Sequence, residues 1–448
     1  MATTIHESAT LGKSPIDAYR APVAAEVEAF DLPVAGAIPP ELTGRFLRNG
    51  PNARPGDKKV FSFLAPGMLH GLELSGGKAA WYGNRWVRTS TFTSGARYVR
   101  LNGTLDLRAG QSNTNVIAHG GRVLSLVESS FPCEVTPRLD TVGPDDFGGR
   151  LATPFTAHPK RDPRTGELHA FGMCARPGGL TYHRISAEGA LLESRPIPVR
   201  GVTMMHDFAL TERHVVFMDL PIVFDTILAL RGKMPYRWSD SYGARVGVMR
   251  RDDAAAGVRW FDVEPCYVFH VMNAYDDGDD IVCDVVRYRD LWRGGPGEFT
   301  PAVLHRWTID TVAGRVREAQ LDDRTVEFPR TDERRTGSPY RFGYSADMSL
   351  GDDRWAIRKY DLVTGASTAR DFGAGRFAGE PVFVPAAGGT AEDAGWLMTF
   401  VYDAARDASE FVLLDASNVA APPVASVALP QRVPAGFHGN WIDDAELD

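Results

Sequence analysis

Alternating apolar and polar residues predict β-strands along most of the chain. The clearest runs mix β-branched and aromatic residues, at positions 122–127, 214–220, 267–273, 281–287, 396–402 and 410–414. Short polar connections at 276–280 and 403–409 join two pairs of these runs, as in antiparallel hairpins. The pattern therefore predicts an all-β protein.

Helical periodicity is best developed at residues 221–233, between two predicted strands. We expect this segment to form an inserted helical or loop cap around 221–240. No linker or low-complexity tract divides the chain, so the sequence predicts an N-terminal extension at 1–25 and a single domain at 26–448. So many short strands fit a sandwich, a large barrel or a propeller, and no clear repeat chooses among them.

Composition narrows the class of protein. The 448 residues are 44% hydrophobic and 24% charged, which is typical of a folded globular chain. A net charge of -8 argues against a nucleic-acid partner. The four cysteines form no C-x-x-C pair, the first 25 residues contain no signal-peptide core, and no run of about 18 apolar residues occurs. We therefore expect a cytoplasmic protein whose membrane contact, if any, is peripheral.

Four of the eleven histidines share an apolar setting with an aromatic or small polar neighbour: His158, His206, His270 and His438. Their separations of 48, 64 and 168 residues are too long for one local metal motif, so they could meet only from different strands. Taken singly, such a histidine is more often a buried side chain that only forms a hydrogen bond. Neutral imidazole nevertheless suits iron, and a ligating histidine usually donates its second N–H to a carboxylate.

Three glutamates lie in similarly apolar contexts: Glu128, Glu327 and Glu380. Each alone is more simply an acid at a strand end that meets an arginine or solvent. Three such acids together with four histidines suggest a shared site.

The chain resembles the carotenoid cleavage oxygenase family over nearly its whole length. The resemblance rests on ordered segments at 44–52, 157–160, 205–208, 269–275, 327–330, 379–381 and 436–439, which read GRFLRNGPN, AHPK, MHDF, FHVMNAY, EFPR, GEP and GFHG. Matches so widely distributed and in this order are highly specific.

The resemblance implies a seven-bladed β-propeller with one iron(II) per subunit on its axis, bound by His158, His206, His270 and His438. It also implies that Glu128 orients His206, Glu327 orients His270 and Glu380 orients His438, which leaves His158 without an acid. Dioxygen would be the co-substrate, and a conjugated C=C bond of a carotenoid or apocarotenoid would be cleaved to two aldehydes.

Further site residues are predicted from the family resemblance or from closeness to the histidines in sequence. Thr114 matches the family position beside the open side of the iron, although an ordinary strand threonine is an equal alternative. Four phenylalanines lie within a few residues of the histidines and could line a tunnel for an apolar polyene or simply fill the core: Phe155, Phe208, Phe269 and Phe437. The apolar 221–234 segment resembles the family's cap and could contact the inner membrane face, or pack wholly on the propeller.

Two departures from the family keep alternatives open. Residues 64–70 read LAPGMLH where the family usually has a Gly-Asp-Gly-Met turn, which puts the local blade geometry and one tunnel wall in doubt. Val127 stands where stilbene cleavers typically have a lysine, so stilbenoid or phenylpropenoid cleavage is the alternative rather than the first prediction. A retinoid-type isomerase would bind iron without cleavage, and a metal-free lipid-binding or protein-binding propeller scaffold is the non-enzymatic alternative.

Overall fold

The fold is a ring of seven antiparallel sheets, seen in a computed structural model that describes residues 3–4, 14–57, 63–100, 104–175, 178–231, 233–295 and 297–447. We number the sheets as blades 1 to 7 in chain order. Blade 1 has five strands, in the order Glu28–Leu32, Lys78–Trp86, Gly67–Ser75, Gly44–Pro51 and Gly439–Asp443. Blades 2 and 3 have four strands each: Thr141–Pro144, Cys133–Val135, Arg122–Leu126 and Asn115–His119, then Lys160–Arg161, Leu168–Ala175, Gly178–Ile185 and Leu191–Ile197.

The remaining blades follow the same plan. Blade 4 contains Ala209–Leu210, His214–Asp219, Ala244–Arg250 and Val258–Val263, and blade 5 contains Tyr267–Asp277, Asp280–Tyr288, Ala302–Asp310 and Arg315–Gln320. Blade 6 contains Val326–Arg330, Phe342–Asp347, Ala356–Asp361 and Ala366–Arg370. Blade 7 contains Arg376–Ala378, Val382–Pro385, Gly395–Asp403, Ala408–Asp415, Ala425–Ala428 and Val34–Gly36.

The two ends of the chain close the ring. Strand Gly439–Asp443 pairs with Gly44–Pro51, so the last strand of the protein completes blade 1. Strand Val34–Gly36 pairs with Ala425–Ala428 and thus joins the last blade from the N-terminal side. A closed ring leaves few exposed strand edges. The all-β, seven-bladed architecture expected from the sequence is confirmed.

Apolar side chains fill the spaces between blades. Strands such as Asp280–Tyr288 are buried on both faces, because each blade is covered by two neighbours. Trp81 in blade 1 and Trp307 in blade 5 are among the largest fully buried side chains. The core is therefore distributed around the ring.

The cap is a pair of short strands with a short helix between them. Ile222–Phe224 pairs with Tyr236–Trp238, and the described residues between the two strands are helical at Thr226–Leu230. β-branched Ile222 and Val223 favour the extended pairing, and Asp225 then caps the short helix by accepting from two backbone N–H groups. Of the segment with helical periodicity at 221–233, the described residues are therefore helical at Thr226–Leu230, and the bounds of the inserted cap at 221–240 stay a prediction.

Other short elements decorate the ring. They are helices Pro15–Arg20 and Ser90–Ser94, 3₁₀ turns at Ala254–Ala256, Glu333–Arg335 and Asp444–Glu446, and the strand pair Thr3–Thr4 with Glu298–Phe299. Tyr19 of the first helix is buried and stacks on Phe377 and Tyr402 of blade 7. Residues 1–2 and 5–13 of the predicted N-terminal extension lie outside the described residues.

The unusual 64–70 segment is a turn at 64–66 followed by a strand that begins at Gly67. Residues from Gly67 onwards pair in register with Gly44–Pro51, with Met68 opposite Gly50 and His70 opposite Arg48. The altered turn therefore leaves the paired part of blade 1 intact, while residues 58–62 before it lie outside the described residues. No helix within the described ranges is long and apolar enough to cross a membrane.

Candidate metal centre

Four imidazoles converge at the centre of the ring and form what we call the imidazole cluster: His158, His206, His270 and His438. Their ligand nitrogens all lie within 4.8 Å of one another. Nε2 of His158 lies 3.0 Å from Nε2 of His206, and Nε2 of His270 lies 3.1 Å from Nε2 of His438. Four nitrogens converging at such short separations are suited to sharing one metal ion.

Each blade places one residue of the centre. His158 and His206 immediately precede the innermost strands of blades 3 and 4, His270 lies within that of blade 5, and His438 precedes the last strand of blade 1. Glu128 follows the strand Arg122–Leu126 of blade 2, Glu327 lies in the inner strand of blade 6, and Glu380 lies between two strands of blade 7. The wide spacing of these residues in the sequence is therefore the spacing of the blades.

Three imidazoles have a carboxylate behind them. His206 Nδ1 pairs with Glu128, His270 Nδ1 lies 2.5 Å from Glu327 Oε2, and His438 Nδ1 lies 3.0 Å from Glu380 Oε1. A carboxylate that accepts the Nδ1 proton leaves the Nε2 lone pair directed at the centre. Within the described part of the chain, no hydrogen bond or ion pair joins His158 to an acid.

Electrostatics favour neutral rings at His158 and His438 beside an ionised Glu380. By contrast, Glu327 outweighs burial and raises the pKa of His270. Burial lowers the pKa of His438 to about 4, although Glu380 acts in the opposite direction. Burial opposes ionisation of Glu380, but His438 and Arg330 outweigh it and lower its pKa to about 2. Burial, together with the other three imidazoles, also lowers the pKa of His158 well below its ordinary value. Neutral imidazole is the form that binds a metal.

The acids are themselves held in place by residues that the sequence analysis had not assigned. Tyr288 donates its hydroxyl to Glu327 Oε1 at 2.8 Å. The Gly439 backbone N–H donates to Glu380 Oε2 at 2.8 Å, and Arg330 Nη1 lies 3.5 Å from Oε1 of the same acid. Arg330 ends the EFPR segment, so that motif was its only sequence signal.

Asp207 ties three blades together beside the cluster. Its Oδ1 lies 2.8 Å from Lys160 Nζ, and its Oδ2 accepts the Val271 backbone N–H at 2.8 Å. It therefore joins the segments that carry His158, His206 and His270. The sequence analysis missed this role, although Asp207 directly follows a predicted ligand.

Thr114 reaches the cluster through its backbone. Its carbonyl accepts the His438 backbone N–H at 3.1 Å, while its hydroxyl donates to Asn113 Oδ1 at 3.2 Å. Thr114 thus helps to position His438, and its predicted role toward dioxygen stays a prediction.

The four predicted substrate phenylalanines fall into two groups. Phe269 packs edge-on against His206 with ring centroids 5.2 Å apart, and Phe437 stacks on Phe63 at 5.6 Å. Three further rings, Phe63, Trp292 and Phe299, connect Phe269 with Phe437. We call these five rings the aromatic wall. By contrast, Phe155 packs with Phe147, and Phe208 with Phe171, in cores between blades.

The cap lies close to the acid behind His206. The Glu128 side chain is 31% exposed, compared with 8% for Glu327 and 3% for Glu380. Burial raises the pKa of Tyr236 in the cap, and the Glu128 charge raises it further. Glu128 is therefore the most exposed of the three acids, and its charge acts on the cap.

Comparison with known proteins gives the same assignment over most of the chain. The family described as retinal pigment epithelial membrane protein matches residues 20–443. A carotenoid cleavage oxygenase of Mycobacterium tuberculosis is 41% identical over 489 residues, covering 95% of this chain and 97% of its own length. An isoeugenol monooxygenase of Pseudomonas nitroreducens is 30% identical, covering 94% and 96%. Cobalt-substituted apocarotenoid oxygenase of Synechocystis is similar in structure, with a TM-score of 0.86, 30% identity and coverage of 96% of this chain and 99% of its own. The chain therefore belongs to this family, which includes the carotenoid cleavage oxygenases.

Proposed function

We propose that the protein is an iron(II)-dependent dioxygenase that cleaves a conjugated C=C bond of a carotenoid or apocarotenoid to two carbonyl products. The observation that carries the proposal is the imidazole cluster, in which three of four rings are paired with carboxylates, two of them buried. The relatives named as carotenoid cleavage oxygenases support the same reaction class. A binding scaffold without a metal would gain nothing from four imidazoles held nitrogen to nitrogen.

The donor set suits the proposed metal. Imidazole nitrogen binds iron, zinc, copper and nickel well, and four neutral ligands leave up to two positions of an octahedral ion open. One iron per subunit would supply the dioxygen chemistry when bound. The residues of the chain hold Nε2 in place and orient the alkene.

The aromatic wall is the surface that we propose for the polyene. Phe269 reaches the His206 ring, and from it the wall continues to Phe437 through Phe63. Stacked and edge-on rings offer a long, largely apolar surface, as an extended hydrocarbon chain needs. This arrangement would place one double bond beside the cluster.

The residue before Glu128 favours an apolar substrate. Val127 offers no charged group to hold or ionise a phenol. A phenylpropenoid such as the substrate class of the isoeugenol monooxygenase is the second candidate, because that relative is 30% identical over nearly the whole chain.

We further propose that the cap contacts the inner face of a membrane. Ile227 is 61% exposed and Leu230 is 83% exposed on the same short helix. Arg231 and Arg237 flank them, and basic side chains beside apolar ones suit an anionic lipid surface. A water-insoluble polyene would then move from bilayer to aromatic wall without crossing water.

A substrate panel tests the proposed reaction. The iron(II) protein is incubated under oxygen with carotenoids, apocarotenals, hydroxystilbenes and isoeugenol, and products are identified by mass spectrometry. We expect aldehyde fragments from a polyene that disappear in His206→Ala and His438→Ala. Products from phenylpropenoids alone would select the second candidate, whereas an iron-loaded protein without any cleavage product would refute both.

A further inference from the structure

A polar cavity of about 190 Å³ lies against the imidazole cluster. Its inner end is bounded by His158, His270 and His438, which are buried. Its outer end is bounded by Arg161, whose side chain is 44% exposed, and Glu333, which is 67% exposed. Because the same cavity touches buried imidazoles and solvated charges, it connects the cluster with bulk water.

Ion pairs and hydrogen bonds between charged and polar side chains line this cavity along its length. Lys160 Nζ lies 2.8 Å from Asp207 Oδ1, and Arg330 Nη2 donates to Asn440 Oδ1 at 2.6 Å. At the mouth, Arg161 Nη2 lies 2.7 Å from Glu446 Oε2. The lining contains three basic side chains, Lys160, Arg161 and Arg330, and four acidic ones, Asp207, Glu333, Glu380 and Glu446. The excess of one negative charge favours a cation.

Along the aromatic wall, by contrast, the cluster is approached over an apolar surface. His206 does not line the cavity, and its ring is covered instead by Phe269 of the aromatic wall. A doubly charged ion that crossed such a surface would lose its water without gaining oxygen ligands, at a cost of several kcal/mol or more. The cavity instead has room for about six waters at roughly 30 Å³ each.

We infer that the polar cavity is the route by which a hydrated divalent metal ion reaches and leaves the imidazole cluster, while the aromatic wall serves the organic substrate. This inference rests on the proposed metal site. The two faces of the cluster are thereby assigned to two chemically different ligands, and metal can exchange while the apolar side is occupied.

Loading kinetics test the route. Metal-free protein is mixed with cobalt(II), desalted at successive times and analysed for bound cobalt. Ala118 is half-buried and lines the cavity, so Ala118→Trp should narrow it and slow loading by about tenfold or more without changing the final cobalt content. Glu446→Gln should slow loading about two- to fivefold at low salt, and the difference should vanish near 0.5 M salt.

A matched control removes an acid elsewhere. Glu264 is 81% exposed, lies 3.8 Å from Arg287 and does not line the cavity, so Glu264→Gln should load as the unchanged protein does. If Ala118→Trp does not fold, Thr336→Lys places a cation at the lining and should also slow loading. In addition, an apocarotenal bound anaerobically should leave the loading rate unchanged.

Wild-type loading rates in Ala118→Trp and Thr336→Lys would overturn the inference, as would complete block of loading by the apocarotenal. A different failure, no cobalt bound by the unchanged protein at equilibrium, would overturn the proposed metal site itself. The two failures are therefore distinguishable.

Discussion

Glu380 holds His438 at two points, because its Oε1 lies 3.0 Å from the ring Nδ1 and its Oε2 accepts the next backbone N–H, that of Gly439, at 2.8 Å. Replacing Glu380 with Gln keeps the shape but removes the negative charge that makes the imidazole a better donor. We expect metal affinity to fall about 10- to 100-fold, measured by chelator competition.

Glu318 supplies the matched control for that substitution. It lies 3.5 Å from His305 in blade 5, away from the imidazole cluster. Glu318→Gln should leave metal affinity unchanged. If Glu380→Gln bound metal as tightly as Glu318→Gln, the carboxylate would have no role in holding the metal ligand.

Phe269 and Phe155 allow function to be separated from packing. Both are buried, but Phe269 contacts His206 while Phe155 lies in an interblade core. Replacing either with Leu should lower the free energy of unfolding by about 1–2 kcal/mol, because part of the ring's buried surface is lost. Only Phe269→Leu should also change kcat/KM for the polyene. Equal kcat/KM in the two variants would remove Phe269 from the substrate surface.

We expect His70 to make the fold less stable in acid. Burial, with a smaller effect of Arg48, lowers its pKa from 6.5 to about 3, while Tyr82 contacts its Nδ1 at 2.9 Å. Between these two pH values the unfolded chain binds one more proton than the folded chain. The contribution of neutral His70 to the free energy of unfolding is therefore fully present above pH 6.5. It is lost as the pH falls toward 3, at about 1.4 kcal/mol per pH unit.

The measurement is urea unfolding between pH 7.5 and 4.5. His70→Gln should be less stable at neutral pH, yet its stability should fall less steeply with pH, by about one proton. A slope identical to that of the unchanged protein would show that His70 is protonated in the fold.

We expect exposed Ile227 and Leu230 of the cap to give the protein affinity for membranes. Ile227→Ser with Leu230→Ser should weaken binding to anionic lipid vesicles about tenfold or more, because each side chain contributes up to about 1.5–3 kcal/mol on leaving water. The control is Val312→Ser with Val363→Ser, since both valines are 73% exposed on hairpin ends. Equal loss of binding in the two double variants would refute a specific role of the cap.

Strand pairing was predictable where alternation and turn chemistry agreed. The run at 281–287 lies within Asp280–Tyr288, and the polar connection before it is a hairpin turn at Gly278–Asp279. The conformation of the cap was not predictable, because apolar residues 222–224 fit a helical stripe as well as an extended strand. Their pairing with Tyr236–Trp238 selects the extended strand.

The centre was predictable as a set of residues but not as a geometry. His158 and Glu380 stand in recognisable segments, yet nothing local shows that their side chains meet. Phe155 and Phe208 are near ligands in sequence, but Phe155 packs on Phe147 and Phe208 on Phe171 in interblade cores, contacts that closeness along the chain does not predict. The polar cavity combines residues of several blades and had no sequence signal.

Iron titration coupled to product analysis tests the central claim most directly. Metal-free protein is loaded anaerobically with increasing iron(II), then given oxygen and an apocarotenal, and aldehyde products are quantified by mass spectrometry. We predict that cleavage rises in proportion to bound iron and reaches its maximum at one iron per chain. Aldehyde formation that is independent of iron would contradict this account.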